Sequence, residues 1–264
     1  MKKYLVIGNP IDHSLSPKLH NFWIKDNNID AVYDKKKLEE KEIKDLIQQI
    51  KQKKIAGINV TVPFKKTIIS FLDKLSLDAE QTQSVNTICF ENGNLVGHNT
   101  DINGFTKAIE SLDYNIKNKT IFILGAGGVV PSIILALIRM EASEIIISNR
   151  TKQKAENLKN QFKDLKVLDW GKVPKFDVVL NATSLGLNNE IINLDFSDVE
   201  NGKLFYDVIY NPKETYFLKE GKRLGNKAEN GRLMFIYQAF EAFKLWHGVE
   251  PKISNETLKI LNDD

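Results

Sequence analysis

Short apolar runs alternate with amphipathic stretches over the first hundred residues. Residues 4–7 read as a strand, and Ser16-Pro17 opens a helix, with serine as N-cap and proline at the first helical position. Leu38, Ile43, Leu46, Ile47 and Ile50 recur at helical spacing among lysines and glutamates, which predicts an amphipathic helix with a solvated charged face. A β-branched strand over 55–62 stops at Pro63, which suits the first turn of a helix running to Leu72. Residues 85–90 and 95–98 pair as a predicted hairpin around Glu91-Asn92-Gly93-Asn94. Strands alternating with helices predict a mainly parallel sheet.

The second half has a clearer rhythm. Predicted strands at 120–124, 144–148, 176–180 and 204–209 are continuous and rich in Ile, Val and Leu, with helices at 129–140 and 151–162. Buried strands of this kind, alternating with helices, belong to a doubly wound sheet. The boundary between the halves falls near 100–118, where 100–112 reads as a connecting helix and Asn115-Ile116-Lys117-Asn118-Lys119 as an exposed lead-in. No internal repeat or low-complexity segment is visible.

Composition narrows the class of partner. The 264 residues are 42% apolar and 27% charged, so the chain is globular, with room for one large domain or two small ones. The net charge of +3 is spread over both halves, which excludes the basic face of a nucleic-acid binder. The first nine residues are too poor in apolar side chains for a signal-peptide core, and the longest apolar run, 129–138, is too short to span a membrane. The lone cysteine, Cys89, cannot form an internal disulfide and favours a reducing, cytoplasmic setting. His13, His20, His98 and His247 are scattered without metal-ligand spacing, so no metal is expected. There are 33 lysines but only four arginines (Arg139, Arg150, Arg223 and Arg232), and each arginine therefore invites a question about its purpose.

Gly125-Ala126-Gly127-Gly128 lies between a strand and a helix. The first glycine permits the turn, the second lets backbone approach a pyrophosphate, and the helix N-terminus offers free N–H groups. A structural glycine turn without nucleotide is the alternative. The third fingerprint position is Val130 instead of Gly or Ala, which sets the helix slightly further from the sheet. A unit selective for NAD usually ends its second strand with an acid that binds the ribose 2′-hydroxyl. Here that strand ends Ser148-Asn149-Arg150-Thr151, with Lys152 and Lys154 following. A guanidinium beside a hydroxyl suits a 2′-phosphate, so NADP is expected over NAD; the alternative is an arginine on a solvated helix start.

Polar residues also gather in the first half. Ser14 and Ser16 present two hydroxyls near a helix start, fit to hold a small carboxylate, although Ser16 also reads as a plain N-cap. Asn59 and Thr61 share one face of a strand, and Lys65 follows just past its end. Ser84-Val85-Asn86-Thr87 and Gly97-His98-Asn99-Thr100-Asp101 add amides, hydroxyls and a carboxylate.

Nine ordered motifs give the chain a resemblance to the shikimate dehydrogenase family along nearly its whole length. They are SLSP at 14–17, NVTVPFK at 59–65, VNT at 85–87, NTDxxG at 99–104, GAGG at 125–128, NRT at 149–151, NATSxG at 181–186, DxxYxP at 207–212, and Asn230-Gly231 with Met234 and Gln238. The resemblance implies an NADPH-dependent reduction of 3-dehydroshikimate to shikimate, in aromatic amino-acid biosynthesis. It implies an α/β fold with an N-terminal α/β substrate-binding domain and a Rossmann-type, doubly wound NADP-binding domain. The first would cover 1–101, joined by the C-terminal helix at about 237–264, and the second 102–236. It allows for a homodimer.

The resemblance also assigns roles. Lys65 would donate the proton or only stabilise the developing alkoxide, with Asp101 as its orienting partner; outside the motif, such a pair reads first as a plain salt bridge. Ser14 and Ser16, helped by Tyr210, would hold the substrate carboxylate, and Asn59, Thr61, Asn86, Asp101 and Gln238 the ring hydroxyls, with substrate in a cleft between the domains. Gly125, Ala126, Gly127 and Gly128, with Asn149, Arg150, Thr151 and Lys154, would bind the nucleotide. Ala182 and Thr183 would line its path, and Ile209, Gly231 and Met234 would wall the nicotinamide. The alternatives are a paralogue using quinate or an amino-analogue of shikimate, one preferring NAD, and a ligand-binding relative without chemistry.

Overall fold

The computed structural model describes residues 1–261. The chain forms two compact units: Met1–Gly104 together with the described residues from Ile236 onward, and Phe105–Phe235.

The first unit is built on six strands: β1 (Lys2–Gly8), β2 (Ala31–Lys37), β3 (Gly57–Val60), β4 (Lys74–Leu75), β5 (Thr87–Glu91) and β6 (Asn94–His98). Their order is β2-β1-β3-β5-β6-β4. The sheet is mixed, since β3–β5 and β5–β6 are antiparallel while the other three pairs are parallel. Asn92 and Gly93 turn the chain straight back with φ of +48° and +82°, so a hairpin replaces the crossover that parallel pairing needs. Helices α1 (Ser16–Asp26), α2 (Ile43–Lys51) and α3 (Leu77–Thr82) complete this part. The apolar stripe of α2 (Ile43, Leu46, Ile47 and Ile50) is buried in one core with Leu5, Ile7, Ile58, Val60 and Ile88 from the strands.

Two local expectations differ from the structure. Leu15, not Ser16, is the N-cap of α1; Ser16 is its first helical residue and donates its N–H to Ser14 Oγ at 3.3 Å. The segment after Pro63 runs through turns into a 3-10 helix, Thr67–Phe71, instead of an α-helix. Thr67, Ile68 and Ile69 are β-branched in succession, and their stiff χ1 weakens α-helix formation there.

Helix α4 (Asp101–Glu110) carries the chain into the second unit. That unit holds β7 (Thr120–Leu124), α5 (Val130–Arg139), β8 (Glu144–Ser148), α6 (Lys152–Gln161), β9 (Lys166–Leu168), β10 (Val178–Asn181), β11 (Leu204–Asp207), α7 (Tyr216–Arg223) and β12 (Lys227–Glu229). All pairings are parallel, in the order β12-β11-β10-β7-β8-β9. This is the Rossmann order, with its reversal at β7. Four of the five residues of β7, and all of β10 and β11, are buried, as strands with helices on both faces must be. Helix α8 (Arg232–His247) returns the chain to the first unit, and α9 (Asn255–Ile260) follows. Among the described residues, no helix is long and apolar enough to cross a membrane.

On the sheet face opposite α2, Tyr33, Tyr4, Gly57 and Cys89 stand in one register row. His20 stacks on Tyr33 at 4.2 Å, and the end of α8 adds Phe243, Trp246 and His247. His20 is buried with neither ring nitrogen hydrogen-bonded. Burial, then the proximity of His247, lowers its pKa to about 3; burial, then Lys2, lowers that of His247 to about 4. A histidine kept neutral when folded is protonated first in the unfolded chain, so its stabilising effect is present above pH 6.5 and is lost as pH falls toward the folded value. For His20 the loss at pH 5 is about 2 kcal/mol. Denaturant midpoints at pH 7.5 and 5 should therefore differ less in His20→Phe than in the parent chain. An identical drop in both would show that this ring does not set the acid limit.

Candidate active site

Topology brings the polar residues of the first unit to one edge of its sheet. Strands β1 and β3 are parallel, and the N–H groups of Asn9 and Thr61 bond the carbonyls of Val62 and Ile7 just past the strand ends. Strand β5 runs against β3 and begins at that edge, after Asn86, while β6 ends there and leads through Asn99 to Asp101. Ser14, Ser16, Thr61, Lys65, Asn86 and Asp101 all lie in the segments that leave or enter this edge.

At its centre is a buried ion pair. Lys65 Nζ donates to Asp101 Oδ2 at 2.5 Å, and the two residues are 8% and 5% exposed. The other carboxylate oxygen, Oδ1, accepts from Asn86 Nδ2 at 2.9 Å. Asp101 opens α4 with its own N–H on Asn99 Oδ1, so the helix N-terminus also favours its charge.

Backbone groups fix the polarity of what surrounds the pair. The N–H of Thr100 can only donate, and it meets Asn86 Oδ1 at 2.8 Å, which turns Asn86 Nδ2 toward Asp101. The carbonyl of Asn86 can only accept, and it meets Asn59 Nδ2 at 3.1 Å, which turns Asn59 Oδ1 toward the hydroxyl of Tyr33 at 2.6 Å. Thr87 Oγ1 links the two amides, accepting from Asn59 Nδ2 at 3.0 Å and donating to Asn86 Oδ1 at 3.1 Å. A directed chain of hydrogen bonds thus runs from Tyr33 through Asn59, Thr87 and Asn86 to the carboxylate that Lys65 holds. Both donors of the Asn59 amide are engaged inside the protein.

The second unit assembles its residues at the carboxyl edge of its parallel strands. The turn 125–128 follows β7, Asn149-Arg150-Thr151 follows β8, Ala182-Thr183 follows β10, Ile209-Tyr210 follows β11, and Gly231 follows β12. Gly125 has φ +108°, and a Cβ there would stand 2.7 Å from the Ala182 carbonyl oxygen, so only glycine fits; at Gly127 nothing but that oxygen, at 3.8 Å, comes near. Asn149 Nδ2 bonds the Thr151 carbonyl at 2.8 Å, shaping the turn on which Arg150 and Lys154 are exposed. The Gly231 N–H bonds the Ile209 carbonyl at 3.0 Å, Met234 is buried, and Tyr210 stacks on Phe235 at 4.4 Å. Gln238 lies on α8.

Comparison with known proteins agrees with this fold. Residues 6–88 match the family model of the shikimate dehydrogenase substrate binding domain, 106–202 that of shikimate / quinate 5-dehydrogenase, and 231–254 that of the shikimate 5'-dehydrogenase C-terminal domain. The chain is 52% identical to shikimate dehydrogenase (NADP(+)) of Pelagibacter ubique over 262 residues, 99% of each chain. The chain belongs to the shikimate dehydrogenase family. The crystal structure of shikimate dehydrogenase from Aquifex aeolicus superposes with a TM-score of 0.91 at 37% identity, covering 100% of this chain and 98% of the other. That of the Thermus thermophilus enzyme, in complex with NADP(H) and shikimate, gives 0.89 at 29% identity, covering 99% and 98%.

Several positioning residues lie outside the motif-derived set of this family member. Tyr33 anchors the amide chain but stands in no motif, and the sequence marks no element around it; the structure places it on β2. Asp207, the first residue of DxxYxP, is buried and accepts from the Ile209 N–H at 3.0 Å, Asn181 Nδ2 at 3.0 Å and Thr215 Oγ1 at 2.6 Å. Burial raises its pKa to about 6, against the lowering effect of those three bonds. Asn181 Oδ1 in turn accepts the N–H and hydroxyl of Thr183, so one carboxylate organises the loops after β10 and β11. The signal in sequence was a polar residue closing each of two otherwise apolar strands. Tyr33→Phe should lower stability by about 1–3 kcal/mol, because Asn59 Oδ1 loses its donor while buried. An unchanged denaturant midpoint would show that the chain of amides does not depend on the phenol.

Proposed function

We propose that this chain reduces 3-dehydroshikimate to shikimate with NADPH, with Lys65 as proton donor. The observation that carries the reading is the buried Lys65–Asp101 pair, whose carboxylate is held from its other side by an amide of fixed orientation. The Thermus thermophilus relative, solved with NADP(H) and shikimate, supports both ligands.

The second unit suits the nucleotide by its own features. The glycine turn exposes backbone where a pyrophosphate can approach, and Arg150, Thr151 and Lys154 are exposed at a strand end without an acid, as a 2′-phosphate requires. Ala182 and Thr183 line the nucleotide's path, with Ile209, Gly231 and Met234 at the nicotinamide. When bound, NADPH supplies the hydride that reduces the ketone.

In the first unit, negative charge grows on the carbonyl oxygen as the ketone is reduced, and Lys65 Nζ stabilises it and delivers the proton. Asp101 Oδ2 keeps the ammonium aimed beforehand, so little reorganisation is left to the reaction itself. Ser14 and Ser16 hold the substrate carboxylate. Thr61, Asn86 and Gln238 join Asp101 at the ring hydroxyls, Asn86 by exchanging its bond to the Thr100 hydroxyl for one to substrate, while Asn59, tied to Asn86, Thr87 and Tyr33, acts through Asn86. A site of buried polar groups disfavours analogues that leave one of them unpaired, which gives selectivity for the hydroxyl pattern. A cytoplasmic setting belongs to the same reading, supported by the unpaired, buried Cys89.

The test is formation of reduced nicotinamide from shikimate and from quinate, with NADP and NAD in parallel. Shikimate with NADP should be the best pair, and Arg150→Ala should erode the preference for NADP; equal efficiency with NAD in the parent chain would remove Arg150 from that role. Lys65→Ala should lower turnover by about 10²–10⁴. Because Asp101 is then left buried without its cation, at a stability cost of about 3–5 kcal/mol, the assay is run where circular dichroism shows the variant folded. Near-normal turnover would exclude Lys65 as the proton donor.

A further inference from the structure

The β5–β6 hairpin gathers three metal-ligating side chains that are not neighbours in sequence. Cys89 and Glu91 are two apart on β5 and project from one face. Thr87 pairs with His98 across the hairpin, which places His98 on the same face, diagonal to Cys89. Cys89 Sγ, a carboxylate oxygen of Glu91 and a ring nitrogen of His98 all lie within 4.8 Å of one another. His98 Nε2 is 2.9 Å from Glu91 Oε1. The register that produces this grouping is fixed by the two-residue turn at Asn92-Gly93.

The cluster has a floor and an opening. Cys89 is 4% exposed at the inner end, while the Glu91 and His98 side chains are 42% and 16% exposed and reach toward solvent. Gly57 pairs with Cys89, and a Cβ on Gly57 would stand 2.4 Å from Trp246 Nε1, so the indole walls the inner side. The indole N–H itself bonds the carbonyl of Ile88 at 3.1 Å, which holds that wall against the strand.

We propose that Cys89, Glu91 and His98 form a zinc site, with water completing a four-coordinate shell. One sulfur, one nitrogen and one oxygen donor make a borderline-soft set that suits Zn²⁺ and is foreign to Ca²⁺ and Mg²⁺, which take oxygen ligands. A thiolate and a carboxylate together neutralise the dication. Zinc bonds of 2.0–2.3 Å in a tetrahedron put ligand atoms about 3.4–3.8 Å apart, so separations of up to 4.8 Å must close by about 1 Å while His98 Nε2 and Glu91 Oε1, 2.9 Å apart, open slightly. Glu91 and His98, both partly exposed, can do this by side-chain rotation.

Binding replaces protons without any redox change. The S–H bond of Cys89 breaks, its proton goes to water, and sulfur forms the bond to zinc. Without metal, His98 Nε2–H donates to Glu91 Oε1; on binding, that proton passes through water to Nδ1 and the freed Nε2 lone pair takes zinc. Ligation needs the thiolate, so proton and metal compete for Cys89 and affinity rises with pH.

The lone cysteine makes the test specific. The metal-stripped full chain is titrated with Co²⁺, and absorbance is followed in the near ultraviolet, where a thiolate–Co²⁺ bond gives a charge-transfer band that only Cys89 can produce. The band should saturate at one Co²⁺ per chain, strengthen with rising pH, and bleach when Zn²⁺ is added. It should be absent from Cys89→Ser, and the affinity for Co²⁺ should fall about tenfold or more in both His98→Gln and Glu91→Gln, each checked for folding by circular dichroism. A folded parent chain that gives no band at saturating Co²⁺ would overturn the proposal. So would a band whose affinity is unchanged in both the His98 and Glu91 variants.

Discussion

Burying the charge of Asp101 is the constraint on which the polar interior of the first unit depends. An ionised carboxylate out of water is tolerated only when its oxygens are fully paired, and Lys65 and Asn86 provide one partner for each. Asn86 can donate there only if its oxygen faces the other way, toward the Thr100 N–H and the Thr87 hydroxyl. Thr87, having donated, must accept, and Asn59 supplies that bond; Asn59 then needs a donor for its own oxygen, which Tyr33 provides. Each group has a single satisfactory orientation because the next one does. The ammonium of Lys65 is therefore held by an assembly reaching from β2 to α4, and its aim does not rest on one salt bridge.

The second unit meets a similar demand without a counter-charge. Asp207 is buried at the end of β11, and its partners are an N–H, an amide and a hydroxyl, all neutral. Neutral donors compensate less than a cation does, and the carboxyl accordingly holds its proton up to a pH of about 6. What this arrangement achieves is loop order. The segments holding Ala182-Thr183 and Ile209 leave the sheet as irregular backbone, and both are tied to the same carboxyl. Thr215, its third partner, also caps α7 by accepting the Leu218 N–H. A rigid edge of this kind is what a flexible dinucleotide needs, since order already present in the protein does not have to be created on binding.

Sequence reasoning succeeded where a local rule decides the outcome. Strands β7 and β8 occupy the expected residues because a buried parallel strand is apolar throughout, and the hairpin follows from Asn92-Gly93, whose positive φ few other pairs accept. Strands β2, β4, β9 and β12 carry no such signal: β2 ends in the polar run Asp34-Lys35-Lys36-Lys37, and the other three are two or three residues long and half-exposed, too short to show a period. Ser16 was misplaced as a cap by one residue, because serine competes for that position and Leu15 gives no sign of taking it. Among the candidate site positions, Lys65 and Asp101 are legible as chemical types within motifs. Their contact across 36 residues of sequence, and the consumption of Asn59 by Tyr33, are products of strand pairing that no spacing along the chain encodes.

The same distinction explains why the histidines looked scattered. Familiar metal motifs take ligands from one turn or one helix, where a fixed gap in sequence means a fixed distance in space. On a hairpin the relevant neighbours are set by register: Thr87 faces His98, Cys89 faces Val96 and Glu91 faces Asn94, and these six positions share one side of β5 and β6. Two tasks therefore share a single strand pair. Asn86 and Thr87, at the end away from the turn, serve the buried carboxylate, while Cys89 and Glu91, nearer the turn, meet the His98 imidazole, which reaches toward them from the position opposite Thr87 at a partly open surface. A change at the Asn92-Gly93 turn that slipped the pairing by one residue would flip every side chain of one strand to the other face. It would part His98 from Cys89 and Glu91 and, in the same movement, shift Asp101 away from Asn86, so the integrity of both groups rests on the geometry of one two-residue turn.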